Sequence, residues 1–301
     1  MNCRSAVTWP LWALVVSTAL LGGCMNHAPT RLPATPAARS PQASPPPAPS
    51  APAAEAPRPA LDGLIPADAW LLGEQHDAPA HQARQRAVLQ ALQAEGRLAA
   101  LVIEMAERGT STQGLPLDAE EPAVRQALRW SSSQSAGWDW ATYGPLVMQA
   151  VRAGVPVLGG NLPRTEMRHV MQDSSLDQRL DNATWLTQQT QIREGHCQLL
   201  PETQVVPMTR VQIARDRAMA RTVQSALRPG KTVMLVAGNQ HVRRDLGVPR
   251  HWPPSLRSTV VMMVSGESPS PQANAQADRV WHTEALPPKD HCAAFRKAKS
   301  R

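Results

Sequence analysis

Two histidines stand at matching places in the chain. Gly73-Glu74-Gln75-His76 and Gly238-Asn239-Gln240-His241 are both Gly-x-x-His tetrads, each following an apolar run, and Glu104 stands at the end of a third run between them. Imidazole and carboxylate are the groups that hold a divalent ion such as zinc or manganese. His76, Glu104 and His241 brought together would make a metal site with an open position. Glu74, two residues before His76, would then be the base that activates a bound water. The same side chains could instead form a polar wall beside a larger cofactor. One such tetrad more often caps a loop or turns the chain. Two copies after apolar runs point to a site, because convergent polar groups at strand ends mark one.

The elements that must position these residues are legible as apolar runs and helical periods. Buried strands are expected at Ala69–Leu72, Leu98–Met105, Val155–Leu158 (closed by Gly159-Gly160), Thr232–Ala237, Thr259–Val264 and Val280-Trp281. Helices are expected over 79–95 with Gly96 as the stop, and over 119–130, 141–153, 163–194 and 204–227. Strands alternating with helices predict an α/β fold. Its sheet is mostly parallel with helices on both faces, and a helical insertion fills the middle of the chain. Ligands of such sheets bind beyond the carboxyl ends of the strands. Chemistry should therefore come from Gly73–Asp77, Glu104–Arg108, Gly159–Arg164 and Gly238–Arg244.

An ordered set of motifs runs through these segments. It comprises Gly73-Glu74-Gln75-His76-Asp77 with His81, Trp140-Ala141-Thr142-Tyr143-Gly144-Pro145, Asn161-Leu162-Pro163-Arg164 and Gly195-His196-Cys197. Arg215-Asp216 with Met219-Ala220, and Gly238 to Arg243 with Gly247-Val248-Pro249, complete it. Together, over about Leu64 to Val264, the set resembles the ChaN family of haem-binding lipoproteins. That family belongs to a wider group with Tiki-type metalloproteases and erythromycin-esterase-like proteins. The resemblance implies an α/β domain, haem binding at the outer membrane and a role in iron acquisition. It also implies a homodimer with facing haems and an outer-membrane haem receptor as partners.

Haem iron takes His, Tyr, Cys or Met, and tyrosine suits ferric haem that is held and handed on. Tyr143 is the only tyrosine in the chain, and the resemblance implies tyrosine on the iron, which makes it the first candidate. Followed by Pro145 and a helix, it is expected to start an element rather than to lie in a core. His76, His81, His196 and His241 are the imidazole candidates. His81, five residues past His76, need not share its face, and His196 beside a cysteine could be structural. Propionates need cations, and guanidinium binds carboxylates at two points. Arg164 and Arg215 are the candidates, with Arg243 and Arg244 behind them. Asp216 beside Arg215 could equally be a helix-surface pair.

The N-terminus has the layout of an export signal over residues 1–23. Arg4 precedes an apolar run, Leu11 to Leu21, that is too short to span a bilayer, and Leu21-Gly22-Gly23-Cys24 offers a cysteine for lipidation. Met25 in place of aspartate favours the outer membrane over the inner one. Residues 24–60 hold the lipidated Cys24 and a Pro/Ala-rich stretch. Asn26 to Ala60 carries 11 of the 29 prolines, cannot bury apolar surface, and reads as a tether. The folded part is expected over 61–295 and a basic tail over 296–301. In an oxidising compartment Cys197 and Cys292 should form a disulfide that ties the last strand region to the middle of the chain.

The net charge of +7 is concentrated, since four positive charges sit in the short tail. No basic stripe with interleaved aromatics is present, which excludes the usual nucleic-acid binders. No Gly-x-Ser-x-Gly elbow, His-Glu-x-x-His, Walker loop or Gly-x-Gly-x-x-Gly occurs, which sets aside serine hydrolases, zincins and nucleotide-dependent enzymes. A lipid-anchored haem-binding protein is the leading expectation, favoured over an enzyme. A metal-dependent hydrolase built on His76, Glu104 and His241, and a haem-free envelope platform, are its alternatives.

Overall fold

The computed structural model of the chain describes residues 66–130, 138–267, 276–293 and 296. The expected export signal, the lipidated Cys24, the tether and the tail beyond Arg296 lie outside the described residues. Strand β1 (Ala69–Glu74) leads into helix α1 (Pro79–Ala94), then β2 (Leu98–Glu107), α2 (Glu121–Ala127), α3 (Trp140–Arg152) and β3 (Val157–Asn161). A mainly helical stretch follows, with α4 (Met167–Gln172), α5 (Asn182–Gly195) and α6 (Glu202–Ala226). The chain then returns through β4 (Thr232–Gly238), the single turn α7 (Asn239–Val242), β5 (Ser258–Ser265) and β6 (Arg279–Thr283). This is the α/β pattern with a central helical insertion that the apolar runs predict.

The six strands are all parallel, in the order β3-β2-β4-β1-β5-β6. Because both faces are covered, successive side chains of the central strands β1, β2 and β4 go to different cores, and those strands read as nearly continuous apolar runs. The edge strand β6, by contrast, is mixed and partly exposed. Trp70 and Leu72 of β1 join Met234 and Val236 of β4 against Val88, Leu89 and Leu92 of α1 and Leu146 and Val147 of α3. Ala69, Leu71, Val233 and Leu235 face the other way, onto Met219, Ala220 and Val223 of α6. A smaller cluster of Val170, Leu176, Leu180, Val211 and Ile213 holds the insertion together.

Strand β3 starts and ends later than its apolar run. Val155 returns its N–H to Ala150 at the end of α3, and Gly159-Gly160 continue the strand instead of closing it. A Cβ on Gly159 would lie 2.0 Å from the Glu107 carbonyl oxygen, so glycine is what lets β3 pass this close to β2.

The crossover order sets the site. β4 inserts between β1 and β2, and Glu74 is in register with Gly238 while Ile103 is in register with Val236. The carboxyl ends of three neighbouring strands therefore present Glu74, Glu104 and Gly238 side by side.

Candidate functional site

Glu74 is the last residue of β1 and is buried. Its Oε1 accepts a hydrogen bond from the Tyr143 hydroxyl at 2.6 Å and lies 2.8 Å from Nδ1 of His76. Its Oε2 accepts from the side-chain amides of Gln82 at 2.9 Å and Gln85 at 2.6 Å, both on α1. A carboxylate so surrounded by donors can remain in a dry place. The His76 ring, with its side chain 40% exposed, stands edge-on to Trp138 with centroids 4.6 Å apart. A Cβ on Gly238 would come within 2.8 Å of His76 Nε2, so the glycine makes room for the imidazole. Burial opposes charge on His76, but the bond to Glu74 and the fields of Glu104 and Glu74 outweigh it and raise its pKa.

A second histidine–carboxylate group lies beside the first. His241, buried in α7, has Nδ1 2.5 Å from Asp216 Oδ1 and Nε2 3.4 Å from Glu104 Oε1. Glu104 Oε2 also accepts the Gly238 N–H at 2.8 Å, and Gln212 approaches His241 Nδ1 at 3.2 Å. Burial works against charge on Glu104, yet the field and hydrogen bond of His241 hold its pKa at about 2. His241 is likewise opposed by burial, and Glu104 and Asp216 raise it to about 10. Burial pushes Asp216 up to about 6. The result is an imidazolium held between two carboxyl groups.

Both groups open onto one cleft of about 440 Å³, whose lining includes Glu74, His76, Glu104 and His241 from the strand ends. Its opposite side is formed by Gln188, Gln191, Ile192 and His196 at the end of α5. A second recess of about 180 Å³ shares Glu104 and is lined by Trp138, Asn161, Arg164, Met167 and Arg215. The predicted strand-end segments thus supply both spaces.

The expected residues divide into those that meet here and those that do not. His76, Glu74, Glu104, His241 and His196 line the cleft, and Arg164 and Arg215 line the recess beside it. Tyr143 does not start an exposed element. It is buried inside α3, and burial together with the Glu74 carboxylate raises its pKa, against phenolate formation. His81 is not brought to the cleft either. It is fully buried, with Nδ1 accepting the Gln75 N–H at 3.0 Å and Nε2 3.0 Å from the Thr283 hydroxyl, so both ring nitrogens are engaged in the fold. Arg244 is bound to Asp278, away from the site. Arg243 is bound to Asp245 and lies behind the cleft wall, where it bonds Gln191 and Gln240 without lining the cleft itself. Among the described residues no group of three or more His, Cys, Asp or Glu side chains is arranged to hold a metal ion. The Cys197–Cys292 disulfide is present as expected. Asp216 is no surface pair but the buried partner of His241. Gln82 and Gln85 carried no readable signal beyond their shared position, three apart on one face of α1.

A model of the family described as haem-binding uptake, Tiki superfamily, ChaN matches residues 60–252. The chain belongs to this family. Among solved structures, ChaN of Campylobacter jejuni, described as showing cofacial haem binding, is similar at 25% identity and a TM-score of 0.56. The match covers 68% of this chain and 84% of that one. The type III effector HopBA1 matches at 14% identity and a TM-score of 0.38, over 73% of this chain and 88% of that one. A Bacillus cereus protein matches at 14% identity and a TM-score of 0.34, over 69% of each chain. No curated protein matches the chain.

Proposed function

We propose that this ChaN-family chain is a lipid-anchored haem-binding protein of the bacterial envelope that takes part in haem and iron uptake. Haem binds in the cleft at the carboxyl ends of β1, β2 and β4. The observation that carries this reading is the Glu74–His76 pair. A histidine that binds a metal almost always gives its other ring N–H to a carboxylate or carbonyl, which fixes the tautomer and makes the free nitrogen more basic. Glu74 is placed to do this for His76 Nδ1 at 2.8 Å, while the imidazole stays partly exposed beside the cleft. The donor set fits haem. His76 supplies an imidazole, while His241 stays charged between Asp216 and Glu104. Trp138 offers an aromatic face, and Arg164 and Arg215 supply guanidinium for propionates. Haem, when bound, supplies the iron that is carried.

His76 is the residue proposed to face the iron. Tyr143, the tyrosine candidate, would first have to give up its bond to Glu74. The envelope anchor rests on the export signal, Cys24 and the tether, and the outer membrane is favoured by Met25. Facing haems across a homodimer are supported by the cofacial arrangement of the Campylobacter jejuni protein. An outer-membrane haem receptor is the partner such a carrier needs.

The deciding experiment adds hemin to the purified chain and records the visible spectrum together with metal analysis. A shifted Soret band that is lost in His76→Ala supports the reading. An unchanged spectrum, with about one zinc or manganese per chain, favours the hydrolase instead.

A further inference from the structure

The family match ends at residue 252, so β5, β6 and the segment that follows lie beyond it. Four links nevertheless join this part to the two sides of the cleft. The Ser265 N–H at the end of β5 donates to Gln75 Oε1 at 2.7 Å. Thr283, the last residue of β6, bonds His81 Nε2 at 3.0 Å, and His81 Nδ1 accepts the Gln75 N–H. Gln75 immediately precedes His76. On the other side of His76, Asp77 accepts from Lys289 Nζ at 3.2 Å. Finally, Cys292 is joined by the disulfide to Cys197, the residue after His196, where α5 gives way to a turn.

That turn is one that would benefit from a clamp. Cys197 and Gln198 have φ of 59° and 58°, two successive left-handed residues, neither a glycine, and such conformations persist only when their surroundings hold them. The same stretch carries the α5 side of the cleft.

We propose that β5, β6 and residues 284–292 form a brace that fixes the two walls of the haem cleft against each other. Thr283 and His81 set the loop that bears His76, and the Cys197–Cys292 disulfide sets the end of α5. None of these groups lines the cleft, so they are positioning residues. The inference rests on the haem reading of that cleft. A cleft held in its bound shape has less order to gain on binding and therefore retains its ligand longer. The Lys289–Asp77 pair is exposed on both sides and contributes little, as solvent-exposed ion pairs do.

The test uses the full chain loaded with hemin and follows its transfer to excess apomyoglobin at the Soret band. The Cys197→Ser/Cys292→Ser double variant and Thr283→Val should each release hemin about fivefold faster or more, with the band position unchanged. Lys289→Ala should stay within about twofold of the parent. Unchanged release in both of the first two variants overturns the brace. Should the double variant fail to fold, Thr283→Val decides. Failure of the parent chain to bind hemin sinks the haem reading, and the brace is then judged by hydrogen–deuterium exchange over 74–78 and 188–198. Faster exchange there in either variant supports it, and equal exchange refutes it.

Discussion

The Tyr143 hydroxyl donates to Glu74 Oε1 at 2.6 Å and lies 3.3 Å from His76 Nδ1. The chain's lone tyrosine is thereby tied to the carboxylate behind His76. Tyr143→Phe keeps the buried ring and leaves Glu74 its bonds from Gln82, Gln85 and His76. The loss of one buried hydrogen bond should lower stability by about 1 kcal/mol and leave the hemin spectrum in place. His76→Ala should abolish that spectrum while the chain stays folded. Hemin titration and thermal melts of the two variants decide it. A spectrum lost in Tyr143→Phe and kept in His76→Ala would put the phenolate on the iron instead.

Gly238 offers a sharper probe of the same histidine. An added Cβ would sit 2.8 Å from His76 Nε2 and 3.7 Å from Glu104 Oε2. The imidazole, being partly exposed, is the group able to move. Gly238→Ala should therefore weaken hemin binding by about tenfold or more, since a misplaced first contact forfeits orientation. Far-UV circular dichroism should remain that of the parent. Full affinity in Gly238→Ala would mean that His76 does not point where the reading requires.

The apolar runs and their carboxyl-terminal motifs located this site because a parallel sheet covered on both faces leaves continuous hydrophobic segments. The convergence of His76, Glu104 and His241 followed from strand ends alone. What stayed hidden depended on contacts across long stretches of chain. Asp216 and His241 are 25 residues apart, and only the packing of α6 on the sheet makes them partners. His81 sits close to His76 in sequence, yet Thr283, 202 residues away, turns it into a structural group. Pro145 points to an element starting at Tyr143, but the structure buries the tyrosine inside the helix. The helix begins at Trp140, capped by Asp139, and tolerates the proline within its first turns.

The buried trio of Asp216, His241 and Glu104 predicts how stability should vary with pH. Glu104 and Asp216 outweigh the cost of burying the His241 charge and raise its pKa from the ordinary 6.5 to about 10. The stability gained from that charge is complete below 6.5 and is lost as pH rises toward about 10. Glu104, held near 2 against an ordinary 4.5, contributes stability above 4.5 that is lost as pH falls through about 2. Urea midpoints should therefore decline on the alkaline side. Glu104→Gln should cost about 3–5 kcal/mol at neutral pH, as breaking a buried pair does. It should also make the alkaline decline shallower. A variant with the parent's profile would show that the pair carries no net charge interaction.

Arg215 and Arg164 line the recess that shares Glu104 with the main cleft. If the porphyrin edge lies there, the propionates meet guanidinium, whose hydrogen bonds to carboxylate are among the stronger ones. Arg215→Gln should then weaken hemin binding by about tenfold, the scale of a hydrogen bond to a charged group. Hemin dimethyl ester, whose propionates carry no charge, separates this from a general loosening of α6. It should bind the parent and Arg215→Gln alike, whereas a disturbed helix would weaken both ligands together. Equal loss for hemin and its ester would remove Arg215 from the binding surface and leave the propionates to solvent.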